Sequence, residues 1–519
     1  MAQPTFIPYQ KDQLRLLPLD LDEMVEENHL VRVVDYVIDS IDTTALINLY
    51  PGGGRSSYHP VMLLKILTYA YASGIYSSRK IEAATKENVY FLWLSGQTSV
   101  DHTTIARFRS GRLESVFEDM FAHTIDLVAD LGYISLDTYF LDGTKIEANA
   151  NKYTFTWKKN TERYQEQLRQ KVHEHLEEID RLNEAEDELF ADREPGKIDS
   201  DKIRDAANKI NELLQQKAKE KQSDRSKEKD LKKAKKAFEQ DYLPRMEKYE
   251  DQAKLYNNRK SFSKTDTDAT FMRMKEDHMR NGQLKAGYNV QIGTENQFVV
   301  DYTLHQRPGD TACMIVHLEH FKDKHEKLPD KVIADAGYGS EENYEYLESN
   351  NVDAFVKYNL FHKEQKKSYK TDAFTIRNWP HNATDDTYAC PNNNALSYLY
   401  TTHPKTDLGY QSTMKVYECD NCQECPYRAR CIRSENPLYN RRIQINERQL
   451  ELREQASKRL LSDEGKDLRR RRATDVESVF GDIKQNWHFT RFMMRGLEKV
   501  SCEWGLICLG HNMRKLART

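Results

Sequence analysis

Two aspartates and a glutamate, widely separated in a chain of 519 residues, sit in settings that suit phosphodiester chemistry. Tyr139-Phe140-Leu141-Asp142-Gly143-Thr144 and Val332-Ile333-Ala334-Asp335-Ala336-Gly337-Tyr338 each put an aspartate at the end of an apolar, strand-like run. Val476 to Lys484 puts Glu477 on a helix with Lys484 seven residues later. Short aspartate ligands at a sheet edge, with a longer glutamate reaching across from a helix, can hold two divalent cations about 4 Å apart; these activate water or a DNA 3′-hydroxyl and stabilise the leaving oxygen. Hard Mg2+ (or Mn2+) takes such carboxylate oxygens. Carboxylates this close raise one another's pKa unless a cation neutralises them, so the cluster implies a metal. Singly, each residue has a plainer role: Asp142 opening an Asp-Gly turn, Asp335 capping the Gly337 segment, Glu477 as an ordinary solvent-facing glutamate. Their order on one inferred sheet favours the joint reading.

The last of these helices has an apolar stripe of Val476, Val479, Phe480 and Ile483. The seven-residue spacing predicts Glu477 and Lys484 on one face beside it, with Lys484 placed for a substrate phosphate. Arg469, Arg470, Arg471 and Arg472 lie just upstream, either neutralising backbone phosphates or forming a solvated charged face. A second constellation is Cys419-x2-Cys422-x2-Cys425-x5-Cys431, with Cys390 as a fifth candidate. Four thiolates at this spacing predict tetrahedral Zn2+, which would hold together a small segment with little core. An iron–sulfur cluster is the second reading and four unligated thiols the third. Cys313, Cys502 and Cys508 stand in apolar helical settings and read as core.

The elements that must position these groups follow from periodicity. Residues 1–130 read as helical, with Leu30, Val33, Val34, Val37 and Ile38 at helical spacing and Gly52-Gly53-Gly54 and Pro60 as punctuation. Residues 131–157 turn β-like. Residues 158–260 are highly charged with a three-or-four apolar spacing (Leu168, Val172, Leu176, Ile179), predicting an antiparallel helical hairpin, with Gln215 to Asp230 as a loop or frayed end. A solvated spacer is the favoured role for this hairpin over a DNA-gripping arm. Tyr288 to Gly293 and Gln297 to Leu304 predict a hairpin turning at Glu295-Asn296, and 261–375 alternates strands and helices. Residues 376–450 are aromatic and turn-rich around the cysteines, and 451–519 returns to helix. The sum is an α/β protein: a mixed sheet with flanking helices in three pieces (131–157, 261–375, 451–519), a helical N-terminal domain, and two insertions.

The length suits about three or four domains. Hydrophobic residues make up 38%, charged residues 31%, and the net charge is −4, so bulk charge names no partner. Locally, residues 1–54 hold 3 Lys/Arg against 9 Asp/Glu, whereas 55–112 hold 8 against 3 and 451–519 hold 15 against 10. The two basic regions predict contact with a polyanion, with Arg107 and Arg109 as the DNA-binding candidates in the first. No signal peptide and no membrane span are expected, and the chain is read as cytoplasmic and nucleoid-associated.

Together these segments resemble the DDE-class insertion-sequence transposases with a helical N-terminal domain. The resemblance is carried by Phe140 to Asn151, Val332 to Ser340, Val476 to Lys484 and Gly510 to Lys515, with Tyr58-His59-Pro60 through Arg107-Phe108-Arg109 also similar. It implies an RNase H-like core, metal on Asp142, Asp335 and Glu477, and Lys484 in the family's lysine position. It also implies double-stranded DNA as partner, cutting of element ends followed by strand transfer, and a homodimer. The family's arginine stands four residues before the glutamate; here that position is Ala473, and Arg472 is one residue early. A metal-dependent nuclease of the same fold, and a DNA-binding regulator without catalysis, are the alternative functions.

Overall fold

The computed structural model describes residues 20–50, 56–183, 194–219, 225–274 and 282–519. Thirteen strands among these residues are, in chain order, β1 (Thr138–Glu147), β2 (Phe155–Trp157), β3 (Ser261–Ser263), β4 (Thr270–Arg273), β5 (Leu284–Glu295), β6 (Phe298–His305), β7 (Lys331–Ala334), β8 (Asp353–Val356), β9 (His381–Asn382), β10 (Thr387–Ala389), β11 (Ala395–Thr402), β12 (Met414–Cys419) and β13 (Arg442–Ile445). A mixed six-stranded sheet runs β4-β5-β1-β7-β8, with β6 also paired to β5. β1 is antiparallel to β5 and parallel to β7, which is parallel to β8. The parallel centre is buried on both faces, which is why β7 is a continuous apolar run, Val332-Ile333-Ala334. The expected β5–β6 hairpin is present. Asn296 and Gln297 both take positive φ (49° and 67°), the backbone that matches a two-residue turn to strand twist.

β1 departs from expectation. Asp142 is its fifth residue, not its end, and no turn opens at Asp142-Gly143. The parallel partner β7 stops opposite Leu141, but the antiparallel partner β5 carries the pairing on to Glu147.

The N-terminal helices (Leu30–Ser40, Pro60–Ala72, Ser78–Glu87, Val89–Leu94, His102–Arg107, Phe117–Asp130) share one continuous apolar core with the sheet, so no separate core ends at residue 130. Helix Leu497–Leu516 joins the two. It is buried without a break from Cys502 to Met513. The Asn512 amide accepts from Val299 N and donates to Val299 O, both at 2.8 Å, and Arg514 Nη1 donates to Ala72 O at 3.3 Å. The glycines Gly52-Gly53-Gly54 fall outside the described residues.

The charged segment is more than a hairpin. Helices Lys158–Asn183, Ser200–Lys219 and Arg225–Tyr256, the last passing through a wide turn at Phe238–Tyr242, enclose a core of their own around Leu168, Val172, Ile203, Ile210 and Phe238. Helix fills most of the stretch expected as loop, because the apolar stripe resumes at Leu231; residues 220–224 lie outside the described set. β9 to β13 form a five-stranded antiparallel sheet over a small core that includes Trp379, Leu396, Tyr417, Cys419 and Cys422.

Candidate active site

Register brings the two aspartates together. Leu141, Ala334 and Val356 are direct partners across β1, β7 and β8. The following residues, Asp142, Asp335 and Lys357, therefore form the next row, and Lys357 N donates to Ala334 O at 3.2 Å to continue the ladder. Side chains in one row leave the same face of a sheet. Asp335 ends its strand as expected, and its Oδ1 accepts from Gly337 N at 2.8 Å.

Glu477 is joined to this row by Arg472. The guanidinium donates from Nη1 to Glu477 Oε1 at 2.7 Å and sits with Nη2 3.1 Å from Asp142 Oδ2. The two carboxylates lie within the span of one fork and its two contacts. Arg472 and Asp142 are buried, with side chains 8% and 10% exposed, whereas Glu477 is half exposed at 51%. Arg472 Nε is buried without an acceptor.

The helix makes this possible by being irregular. Ala473–Glu477 is a π-type turn, closed by i→i+5 bonding, and so is Asp482–Asn486. The wide turn absorbs one extra residue, so an arginine five positions before Glu477 reaches it as one at four would on a regular helix. The same irregularity revises the expectation for Lys484. It does not share Glu477's solvent-facing side. It is buried, and its Nζ donates to Thr144 Oγ1 at 2.5 Å and to Lys145 O at 3.3 Å, tying the helix to β1 just past Asp142.

Two residues that sequence reasoning passed over belong to this neighbourhood. Asp310 accepts from Asn289 Nδ2 at 2.7 Å and Gln291 Nε2 at 3.2 Å, and lies across Gly337 from Asp335. Burial first, then the charges of Asp310, Asp142, Cys313 and Asp335, push the Tyr338 hydroxyl well above the usual tyrosine range, so it stays protonated. Lys357 is the other. Burial lowers its pKa, as do Arg472 and Arg469, against Asp335 and Glu477, which raise it. Neither residue carries a local pattern; only strand register and chain return expose them.

Three carboxylates and no sulfur or imidazole make a donor set for a hard divalent cation. Arg472 bridging two of them shows that they accept positive charge at this spot. The three do not converge within 4.8 Å as a one-ion cage would; among the described residues that convergence occurs only at Glu82, Asp101 and His102. There the groups have structural work: Asp101 caps helix His102–Arg107 through Thr103 N, and Glu82 binds His102 and Lys86.

The DNA-facing candidates divide. Arg107 is exposed at its helix end. Arg109 is not available to a surface ligand: it is buried, and its Nη1 donates to Tyr71 Oη and Tyr76 O, both at 2.8 Å. The arginine run is likewise dispersed. Arg469 lies over Phe361, Arg471 lies over Phe140, and Arg470 alone is mostly exposed, at 80%.

The cysteines share one region at the end of β12. Cys419 and Cys422 are buried, while Cys390, Cys425 and Cys431 are half-buried. Burial pushes the Cys419 thiol up to about 12, with Cys422 and Cys390 close enough to add to it. Cys431 is raised by burial, opposed by Arg441, and feels Cys425, Cys390 and Cys422. Backbone N–H groups already point at two sulfurs, Asn392 N at Cys390 and Arg441 N at Cys422, both 3.4 Å. Among the described residues, no three cysteine sulfurs fall within 4.8 Å of one another.

Two family models match the chain: the Transposase DDE domain over residues 389–517, and the Transposase domain (DUF772) over residues 19–111. These two matches support reading the chain as a DDE transposase of an insertion sequence. No curated protein matches it. The DDE match spans the cysteine-bearing segment, Arg472, Glu477, Lys484 and the helix Leu497–Leu516. Asp142 and Asp335 fall between the two matched stretches. No helix among the described residues is long and apolar enough to cross a membrane.

Proposed function

We propose that this transposase binds the ends of its element as double-stranded DNA, cuts them with divalent metal held by Asp142, Asp335 and Glu477, and joins the freed 3′-hydroxyl to a target. The observation that carries the reading is the Arg472 bridge from Asp142 to Glu477, with Asp335 in register beside Asp142. The strand order β6-β5-β1-β7-β8, three antiparallel strands followed by two parallel to the first, supports an RNase H-like core assembled from 131–157, 261–375 and 451–519. On this reading the helices of 158–260 and the cysteine module of 376–450 are insertions. Mg2+ or Mn2+ bound to the carboxylates would supply activation of the attacking hydroxyl and stabilisation of the leaving oxygen.

The chain's own residues do the rest. Asp142 is held rigid in mid-strand, with one carboxylate oxygen on Gly143 N and the other on Arg472. Arg472 orients Glu477 across the cleft and keeps a buried Nε for an acceptor oxygen. Lys484 fixes the helix against β1, which sets the distance between glutamate and aspartates. Exposed Arg107 and Arg470 supply phosphate contacts outside the site, the cysteines hold one structural Zn2+, and two protomers pair the two ends.

The test is a strand-transfer assay with a pre-cut end bearing a 3′-hydroxyl, in Mg2+, comparing wild type with Asp142→Asn. Joined product with the wild type and none with the variant is the expected result. With an uncut end run alongside, cleavage without joining would make the protein a nuclease, equal products from both proteins would remove Asp142 from the reaction, and no product from either would leave a DNA-binding regulator.

A further inference from the structure

Lys357 stands in an unusual place for a lysine. It follows the last residue of β8 in the row that holds Asp142 and Asp335, so the sheet presents aspartate, aspartate and lysine side by side on one face. Its backbone is fixed from behind: a Cβ on Gly339 would stand 2.3 Å from Lys357 O and 2.8 Å from Tyr358 Cα, so the loop that leaves Asp335 packs directly on it. Its ammonium makes no hydrogen bond or ion pair among the described residues. The lysine at the opposite end of the same strands behaves differently, since Lys331 Nζ is paired with Glu464 at 2.5 Å. Lys357 is half-buried, and both Arg469 and Arg472 are close enough to act on its charge. Three cations beside a row of carboxylates, one of them without a partner, call for an anion that arrives with the substrate.

We propose that Lys357 Nζ binds a DNA backbone phosphate immediately flanking the scissile one, on the β8 side of Asp335, and so sets where the strand crosses the carboxylates. This rests on the DNA-cutting reading of the site. A strand whose scissile phosphate lies over Asp142 and Asp335 must continue past one end of that row, and Lys357 offers a charge-assisted contact there. The flexible four-carbon stem allows an ammonium to follow a phosphate as a point charge, where a bidentate arginine would demand one geometry. Lys357 is thus a positioning residue for substrate, outside the metal-binding trio.

The experiment uses the full chain and element-end duplexes carrying one neutral methylphosphonate at each position around the cut, with wild type, Lys357→Met and Lys357→Arg. Cleavage by Lys357→Met should fall by about 10–100-fold, and Lys357→Arg, which keeps the charge but not the adaptable geometry, should recover only part of it. One flanking methylphosphonate should slow the wild type but add nothing in Lys357→Met. DNA affinity should fall, and its salt dependence should flatten by about one phosphate contact. Equal rates and equal salt slopes for wild type and Lys357→Met, or a methylphosphonate penalty unchanged in that variant at every position, would overturn the proposal. The binding measurement reads Lys357 whether or not DNA is cut, so failure of the cleavage reading is separable from failure of this one. Thermal melting of both variants controls for folding.

Discussion

Moving one arginine by one residue tests the geometry of the site. The double variant Arg472→Ala/Ala473→Arg keeps the charge and restores the four-residue spacing to Glu477 that a regular helix would want. On an α-helix one residue is a rotation of about 100°, which carries the guanidinium off the Asp142 side. Two contacts are then lost, and they are unequal. The Glu477 arm is half exposed, so its loss costs about 0–1 kcal/mol. The Asp142 arm has both partners buried, and removing one partner of such a pair costs about 3–5 kcal/mol, because a charge is left without compensation. The double variant should therefore unfold about 3 kcal/mol more easily in metal-free urea titration, while Glu477→Gln should lose no more than about 1 kcal/mol. End cleavage should fall about 100-fold, as two decades correspond to roughly 2.8 kcal/mol. A double variant that melts and cuts like wild type would show that the π-type turn at Ala473–Glu477 does not set the arginine's position. Equal losses for the double variant and Glu477→Gln would show that the difference in burial between the two arms does not matter.

Other outcomes are as specific. His320 is opposed by burial but held charged by Asp301 and Glu118, which take its pKa up to about 10; a group raised in the folded state stabilises fully below its unfolded value near 6.5 and loses that as pH rises to about 10. The melting temperature should accordingly decline across pH 6.5–10, and His320→Gln should flatten that decline. Gly293→Ala would put a methyl 1.7 Å from Tyr139 Cζ, and Tyr139 is buried with its hydroxyl 2.6 Å from His317 Nε2, so a loss of about 1–3 kcal/mol in urea unfolding is expected. Purified protein should carry about one zinc per chain by elemental analysis, and Cys419→Ser or a strong chelator should raise hydrogen exchange in β9–β13 while β1, β5 and β7 stay protected. Arg107→Ala should weaken end binding and flatten its salt dependence, while Arg109→Ala should chiefly lower thermal stability, since its guanidinium serves Tyr71 and Tyr76.

Much of the fold was legible where periodicity and turn chemistry are local. The β5–β6 hairpin, β7 ending at Asp335, and the helix Glu341–Ser349 all follow from apolar runs bounded by turn residues. The apolar run stops at Asp142 and so reads as a strand end; the strand continues because β5, distant in sequence, supplies partners. The Arg472 contact does not follow from 3.6 residues per turn, a spacing that the π-type turn breaks without any residue to announce it. Arg109 reads from sequence as a surface charge because its partners, Tyr71 and Tyr76, lie more than thirty residues away. Asp310 and Lys357 show no signal at all until register is known.

The Asn512 clamp on Val299 also dictates an order of events. The amide that closes the β5–β6 edge lies 213 positions downstream of the strand it satisfies, and Arg514 reaches back 442 positions to Ala72. During translation the nascent sheet must wait, with its apolar face unsealed, until the ribosome has passed Leu516. Any polypeptide cut short before that helix would carry all three acidic residues and still lack the lid that seals the protein's interior.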